Sequence, residues 1–199
     1  MRTDALSMRT VLLDLDRWAG PATQTEHRIL DDLDGPVLDV GCGPGRLVAA
    51  LRERGVKVLG IDAAPTAIAD ARSKGRRVTQ RSVFDPIPRE GTWASVLLFD
   101  GNIGIGGEPK RLLARVRDLM APDGCVIVEL EPPGAAIEVG VVEFEVATGM
   151  VGWFPWCWIG TEEIAGLANS SDLRVEDCQQ IGGRWFAWLR RARKPTAPY

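Results

Sequence analysis

The chain has one histidine and no surplus of basic residues, with 24 Lys and Arg against 27 Asp and Glu. A net charge of -3 gives no general attraction for nucleic acid or for an anionic membrane, so neither is expected as a partner. The basic C-terminal cluster, Arg190, Arg191, Arg193 and Lys194, is short and terminal, and reads as a solvated tail. The four cysteines stand at 42, 125, 157 and 178, without a CxxC pair or a zinc spacing. No metal site is therefore expected, and a reducing, cytoplasmic location is. No apolar run is long enough to cross a bilayer, and the N-terminus shows no signal-peptide pattern. No internal repeat is apparent. What remains is a chain of 199 residues, 45% apolar, which suits a single domain (1–199) with a real core.

The stretch that organises the chain is Val37-Leu38-Asp39-Val40-Gly41-Cys42-Gly43-Pro44-Gly45-Arg46. A short apolar run, glycines at every second position and a helix-like stretch from Leu47 to Arg54 spell strand, turn, helix. That arrangement brings a ligand against bare backbone at a helix N-terminus. The dinucleotide fingerprint places its third glycine five residues after the first, where this chain has Arg46. Its third glycine comes at four, Gly45, with an acid two residues before Gly41. In these features Val37 to Gly45 resembles motif I of the class I S-adenosylmethionine-dependent methyltransferases.

Further along, Lys57 to Ile61 reads as a strand closed by Asp62, and Pro65 suits the first turn of a helix. A third strand is expected over 77–83, then the rigid loop Phe84-Asp85-Pro86-Ile87-Pro88. Ala94 to Phe99 is a continuous apolar strand, covered on both faces and ending at Asp100. After the glycine-rich loop 101–107, Pro109 opens an amphipathic helix, and Pro122-Asp123-Gly124 turns into a strand from Cys125 to Leu130. Ahead of all this, Thr23 and Glu26 form a capping box. A helix is read over Met8 to Trp18, so residues 1–22 form an N-terminal helix or lid. Residues 136–158 alternate with period two and read as an added β-hairpin turning near Thr148-Gly149. Thr161 is expected to cap a helix reaching Ser170, and the strands 173–180 and 185–189 to pair antiparallel across Ile181-Gly182-Gly183. The expected class is therefore α/β: a doubly wound, mostly parallel seven-stranded sheet with an antiparallel last strand and the added hairpin.

The resemblance covers roughly residues 23–131, including Leu-Met-Ala-Pro-Asp-Gly at 119–124, which is similar to the family's turn before strand five. It implies S-adenosylmethionine as cofactor. It assigns Asp39, beside Gly41, Gly43 and Gly45, to the methionine end. Asp62 matches the acid that bonds the ribose hydroxyls, and Ala63 packs on adenine. Phe84 and Asp85 face the base, while Asp100 and Gly101 mark where the methionine portion meets the substrate.

Methyl transfer from a sulfonium needs mostly positioning and exclusion of water, with a base only for a protonated acceptor. Asp100 and Glu131 are the catalytic candidates; Glu129 shares a sheet face with Glu131, and one of the two glutamates is open to a capping role. Trp18, Asn102, Trp153, Trp156 and Arg184 are the acceptor-side candidates, although Arg184 follows two glycines and reads first as a solvated turn. The seven tryptophans equally suit a sealed core or an interface, which leaves a homodimer open. His27 reads as a plain surface or core residue ahead of a catalytic one. Glu-Pro-Pro-Gly at 131–134 ends in glycine rather than in the aromatic residue that stacks on a flipped base, so DNA methylation is discounted. A small-molecule methyltransferase is the expectation. A non-catalytic cofactor-binding sensor or partner subunit is its rival, and a nicotinamide dehydrogenase is disfavoured by Arg46.

Overall fold

The computed structural model describes residues 18–146 and 149–192. The helix expected over 8–18 falls outside them except for Trp18, as does Thr148 of the hairpin turn.

Helix α1 (Gln24–Leu30) opens on the expected capping box: the Glu26 amide donates to Thr23 Oγ1 and the Thr23 amide to Glu26 Oε2. The chain then alternates: β1 (Val37–Val40), α2 (Arg46–Glu53), β2 (Val58–Asp62), α3 (Pro65–Ser73), β3 (Val78–Gln80) and β4 (Trp93–Leu98). A 3-10 segment (Asn102–Gly107), α4 (Pro109–Leu119) and β5 (Met120–Leu130) follow. The hairpin β6 (Glu138–Val146) and β7 (Gly149–Trp158), then α5 (Ile164–Asn169), β8 (Leu173–Ile181) and β9 (Arg184–Arg191), complete it.

Seven strands form one sheet in the order β3-β2-β1-β4-β5-β9-β8. The first five are parallel, and β9 runs antiparallel to both β5 and β8. Alternate residues of each strand feed two separate cores, as a sheet with helices on both faces requires. Val37, Leu97, Phe99 and Ile127 pack with the α1–α3 side, while Leu38, Val96, Leu98 and Val128 pack with α4 and α5. Strand order reverses between β1 and β4, and ligands of open parallel sheets lie outside the C-terminal strand ends at such a point.

The hairpin is a sheet of its own, as its alternation predicts. It docks through β7 onto the 3-10 segment: a Cβ on Gly104 would collide with the Cys157 carbonyl oxygen and lie 2.5 Å from Trp156 Nε1. Glycine is thus required at 104 for the two backbones to meet.

Three local expectations need correction. Strand β5 starts at Met120, not Cys125, because Met120 pairs with Trp93 and a register shift before Ser95 absorbs Pro122-Asp123-Gly124. Strand β3 stops at Gln80; Ser82 instead begins a turn in which its Oγ accepts from the Phe84 amide. Thr161 caps nothing: its hydroxyl donates to Glu162, and α5 begins at Ile164 after Glu163.

Candidate functional site

The turn after β1 is pinned to β2. The Gly41 and Cys42 amides donate to the Ile61 carbonyl at 2.9 and 3.0 Å, and the Gly43 amide donates to Asp62 Oδ2 at 2.8 Å. Asp62 Oδ1 accepts from the Ala64 amide at 2.8 Å. Burial raises the Asp62 carboxyl above its ordinary value, and the Ala64, Gly43 and Ala63 amides partly offset this. Gly43 has φ +51°, and a Cβ there would meet nothing within 4 Å. The turn thus opens on free space at its second glycine. Across from it, Asn102 Nδ2 donates to the Val40 and Gly41 carbonyls at 2.9 and 3.0 Å, joining the 3-10 segment to the turn.

Beneath the turn lies a buried ion network that links five elements. Arg46, 4% exposed, donates to Glu26 Oε1 at 2.6 Å and to Asp100 Oδ2 at 2.6 Å. Arg184, at the start of β9, reaches Glu129 Oε2 at 2.5 Å, Glu26 Oε1 at 2.9 Å and Asp100 Oδ1 at 3.3 Å. Glu129 also accepts from the Asp100 amide at 2.6 Å. Burial alone would raise Glu26, but the Arg46 hydrogen bond and charge overcome it and hold the carboxyl at about 2. For Asp100 burial wins and the carboxyl is raised despite Arg46.

Asp39 differs from these partners. It is 2% exposed, and its Oδ2 is buried without a hydrogen-bond partner. Burial, with Asp100, Asp62 and Glu26 nearby, pushes its carboxyl to about 7 against the pull of Arg46. An orphaned carboxylate oxygen is costly unless something supplies a donor. It fits a ligand bearing an ammonium group. Open space over Gly43 and the unused lone pairs of Asp62 fit the remainder of a polar ligand lying across the strand ends.

Residues 37–124 match the family model described as a methyltransferase domain. That stretch is therefore similar to a methyltransferase domain, and the fold of the chain is one shared with S-adenosylmethionine-dependent methyltransferases. Solved structures share the fold. One is a methyltransferase from Bacteroides fragilis in complex with S-adenosyl-L-homocysteine, with a TM-score of 0.75 and 21% identity over 91% of this chain and 83% of that one. Another is 1,6-didemethyltoxoflavin-N1-methyltransferase from Burkholderia thailandensis, bound to 1,6-didemethyltoxoflavin and S-adenosylhomocysteine, with a TM-score of 0.65 and 20% identity over 90% and 82%. A third is a TehB-like methyltransferase from Corynebacterium glutamicum, with a TM-score of 0.61 and 21% identity over 90% and 96%. No curated protein matches by sequence.

In this fold, Asp39, Gly41, Gly43, Gly45, Asp62, Asp100, Gly101 and Asn102 gather at the switch point. Ala63 is exposed beside them, with Phe84 and Asp85 on the loop after β3. Phe84 packs beside Gly106 and under the Arg111 guanidinium, 4.3 Å from its ring centre. Arg184 is not a solvated turn: pairing of β9 with β5 sets it against Glu129. That network uses most of its donors, which leaves it little to offer an acceptor. Glu129 takes the capping role left open between the two glutamates, and Glu131 follows β5 in an isolated bridge to Gly160. Trp156 lies against Gly104 of the 3-10 segment, whereas Trp153 is exposed. Trp18 is half-buried near the start of the described residues. His27 bonds Arg54 at 2.8 Å, at the far end of α2 from the turn. Sequence reasoning missed Glu26 and Arg46 as the centre of the network. The capping box marked Glu26, but nothing local marked its burial. Among the described residues no acid, histidine and cysteine cluster suits a metal, and no helix is long and apolar enough to cross a membrane.

Proposed function

We propose that this chain is a methyltransferase that moves a methyl group from S-adenosylmethionine to a small-molecule acceptor by direct in-line transfer. The observation that carries the reading is the unpartnered, buried Asp39 Oδ2 next to the open space over Gly43. The cofactor, when bound, supplies an already activated methyl group on a sulfonium. Asp39 accepts from the ammonium of its amino-acid end. Asp62 accepts from the ribose hydroxyls with the lone pairs left after the Gly43 and Ala64 amides. Ala63, Phe84 and Asp85 border the base, and Gly101 borders the reacting end. Asp100 is held by two arginines and orders the floor beside Asn102; Glu131, beyond β5, is the remaining candidate to take a proton from the acceptor. The domain is placed in the cytoplasm, and its net charge of -3 supports an acceptor other than nucleic acid or an anionic membrane. Calorimetric titration with S-adenosylmethionine and S-adenosylhomocysteine tests the reading; absence of binding of both at millimolar concentration rejects it.

Asp62→Ala is expected to weaken binding of both compounds about ten- to a hundredfold, or roughly 1.5–3 kcal/mol, through lost bonds to a charged acceptor. An unchanged dissociation constant rejects the ribose assignment.

The acceptor side is enclosed by the hairpin. Trp156→Ala is expected to raise the acceptor's Michaelis constant or lower turnover, with cofactor affinity kept within about threefold. Thermal melting alongside the kinetics decides the case: a variant that simply melts makes Trp156 a core residue.

A second reading, a partner subunit or homodimer that need not be catalytic, is favoured by one observation. Among the described residues, the exposed large apolar side chains, Ile137, Val139, Trp153 and Phe154, all lie on or beside the hairpin. Light scattering over a concentration series, with turnover on an acceptor panel, separates the two.

A further inference from the structure

The loop from Val83 to Pro88 has no strand partner, yet its shape is held from outside. Val83 and Ile87 are buried anchors. Between them, Arg115 of α4 donates through Nε to the Val83 carbonyl at 3.0 Å and through Nη2 to the Asp85 carbonyl at 2.7 Å. The same guanidinium binds Glu90 with both terminal nitrogens, at 2.6 and 3.1 Å. Glu90 Oε1 in turn accepts from the Ile87 amide at 2.7 Å. One planar fork and one carboxylate thus tie three backbone groups of a loop that lacks a ladder. A lysine ammonium, being a point charge, cannot reproduce that span. Arg111, one turn earlier on α4, covers the Phe84 ring. Phe84 and Asp85 lie between the two groups that Arg115 holds.

We propose that Arg115, working with Glu90, is a positioning residue that fixes the 83–87 loop so that it distinguishes an adenine ring from a 6-oxopurine. The proposal rests on the reading of this site as the S-adenosylmethionine site. A 6-amino group donates to acceptors such as the Asp85 carboxylate, whereas a 6-oxo group presents an acceptor to an acceptor. The mismatch is felt only where the loop cannot retreat. Arg115 denies it that freedom by holding the backbone on either side of Phe84.

The test is calorimetry on the full chain with S-adenosylhomocysteine and its hypoxanthine analogue, S-inosylhomocysteine. The unaltered protein is expected to prefer adenine by about tenfold, the value of one well-placed hydrogen bond. Arg115→Met is expected to cut that preference to roughly two- to threefold, chiefly by weakening S-adenosylhomocysteine, and Arg115→Lys to restore part of it. A preference unchanged in Arg115→Met overturns the proposal. So does an equal loss for both ligands, which marks a merely structural role. Should Arg115→Met fail to fold, Glu90→Gln keeps an acceptor for Ile87 but removes the charge; a preference unchanged there overturns the proposal as well. Unaltered protein that binds both ligands equally rejects base discrimination alone. Unaltered protein that binds neither rejects the cofactor reading itself and the clamp with it.

Discussion

Asp39→Asn is expected to stabilise the protein at pH 8 while weakening its hold on S-adenosylmethionine. The carboxyl titrates near 7 in the folded protein, against an ordinary value of 3.8. Between these values the folded state binds more protons than the unfolded one. The stability that Asp39 contributes is therefore complete below about pH 4 and is lost as pH rises through 7. Over the full window the loss is on the order of 4 kcal/mol. The amide has no such titration, so the difference between variant and unaltered protein should grow from pH 5 to pH 8. Urea unfolding at both pH values measures it, and a difference that does not change with pH rejects the argument. Binding should move the other way. At pH 8 the loss of a charged acceptor for an ammonium is worth roughly ten- to a hundredfold in affinity. In the unaltered protein, affinity should fall as pH drops below 7, by at most about tenfold per pH unit, because Asp39 must then give up its proton to receive the ligand. The residue thus lowers stability in the empty site so that binding is favoured there.

Gly43→Val is expected to abolish cofactor binding more completely than any single change at the acids. The position has φ +51° and empty space where a side chain would go. A branched residue there strains the backbone by roughly 1–2 kcal/mol and fills the room that a ligand needs. Because no protein atom lies in that direction, the fold should survive. Circular dichroism and calorimetry are read together: a native spectrum with binding retained makes the turn purely structural. Gly43→Ala, with one methyl group, should fall between the two.

Much of the framework was legible because it is written in short-range pattern. Three glycines at every second position, an acid two residues upstream and Asp62 closing an apolar strand are separated by few residues and obey local geometry. The capping box at Thr23 and Glu26 was legible for the same reason, as a pair three residues apart. Period-two alternation placed the hairpin as a separate piece. The failures have an equally local origin. Thr161 has the chemistry of a cap, but the chain continues as a turn to Glu163 before α5 begins. Pro122-Asp123-Gly124 reads as a break, but the sheet carries it as an irregularity because Met120 finds a partner in Trp93.

Arg184 shows where such reading stops. In its local context it follows two glycines of positive φ and belongs to a turn. Only the pairing of β9 with β5 brings it beside Glu129, and only the packing of α1 brings Glu26, 158 residues away, to the same guanidinium. The same holds for Arg115, an ordinary charged residue on the exposed side of an amphipathic pattern, whose partners are carbonyls some thirty residues earlier. The sequence by itself determined the order of strands and helices, the glycine turn and the acids at the strand ends, since periodicity, turn chemistry and spacing act over a few residues. The tertiary structure alone decided which charges are buried together, which acid is left without a partner and which glycine faces open space. Those outcomes depend on desolvation and on distances between groups far apart in the chain, and both come into being only when the sheet has assembled.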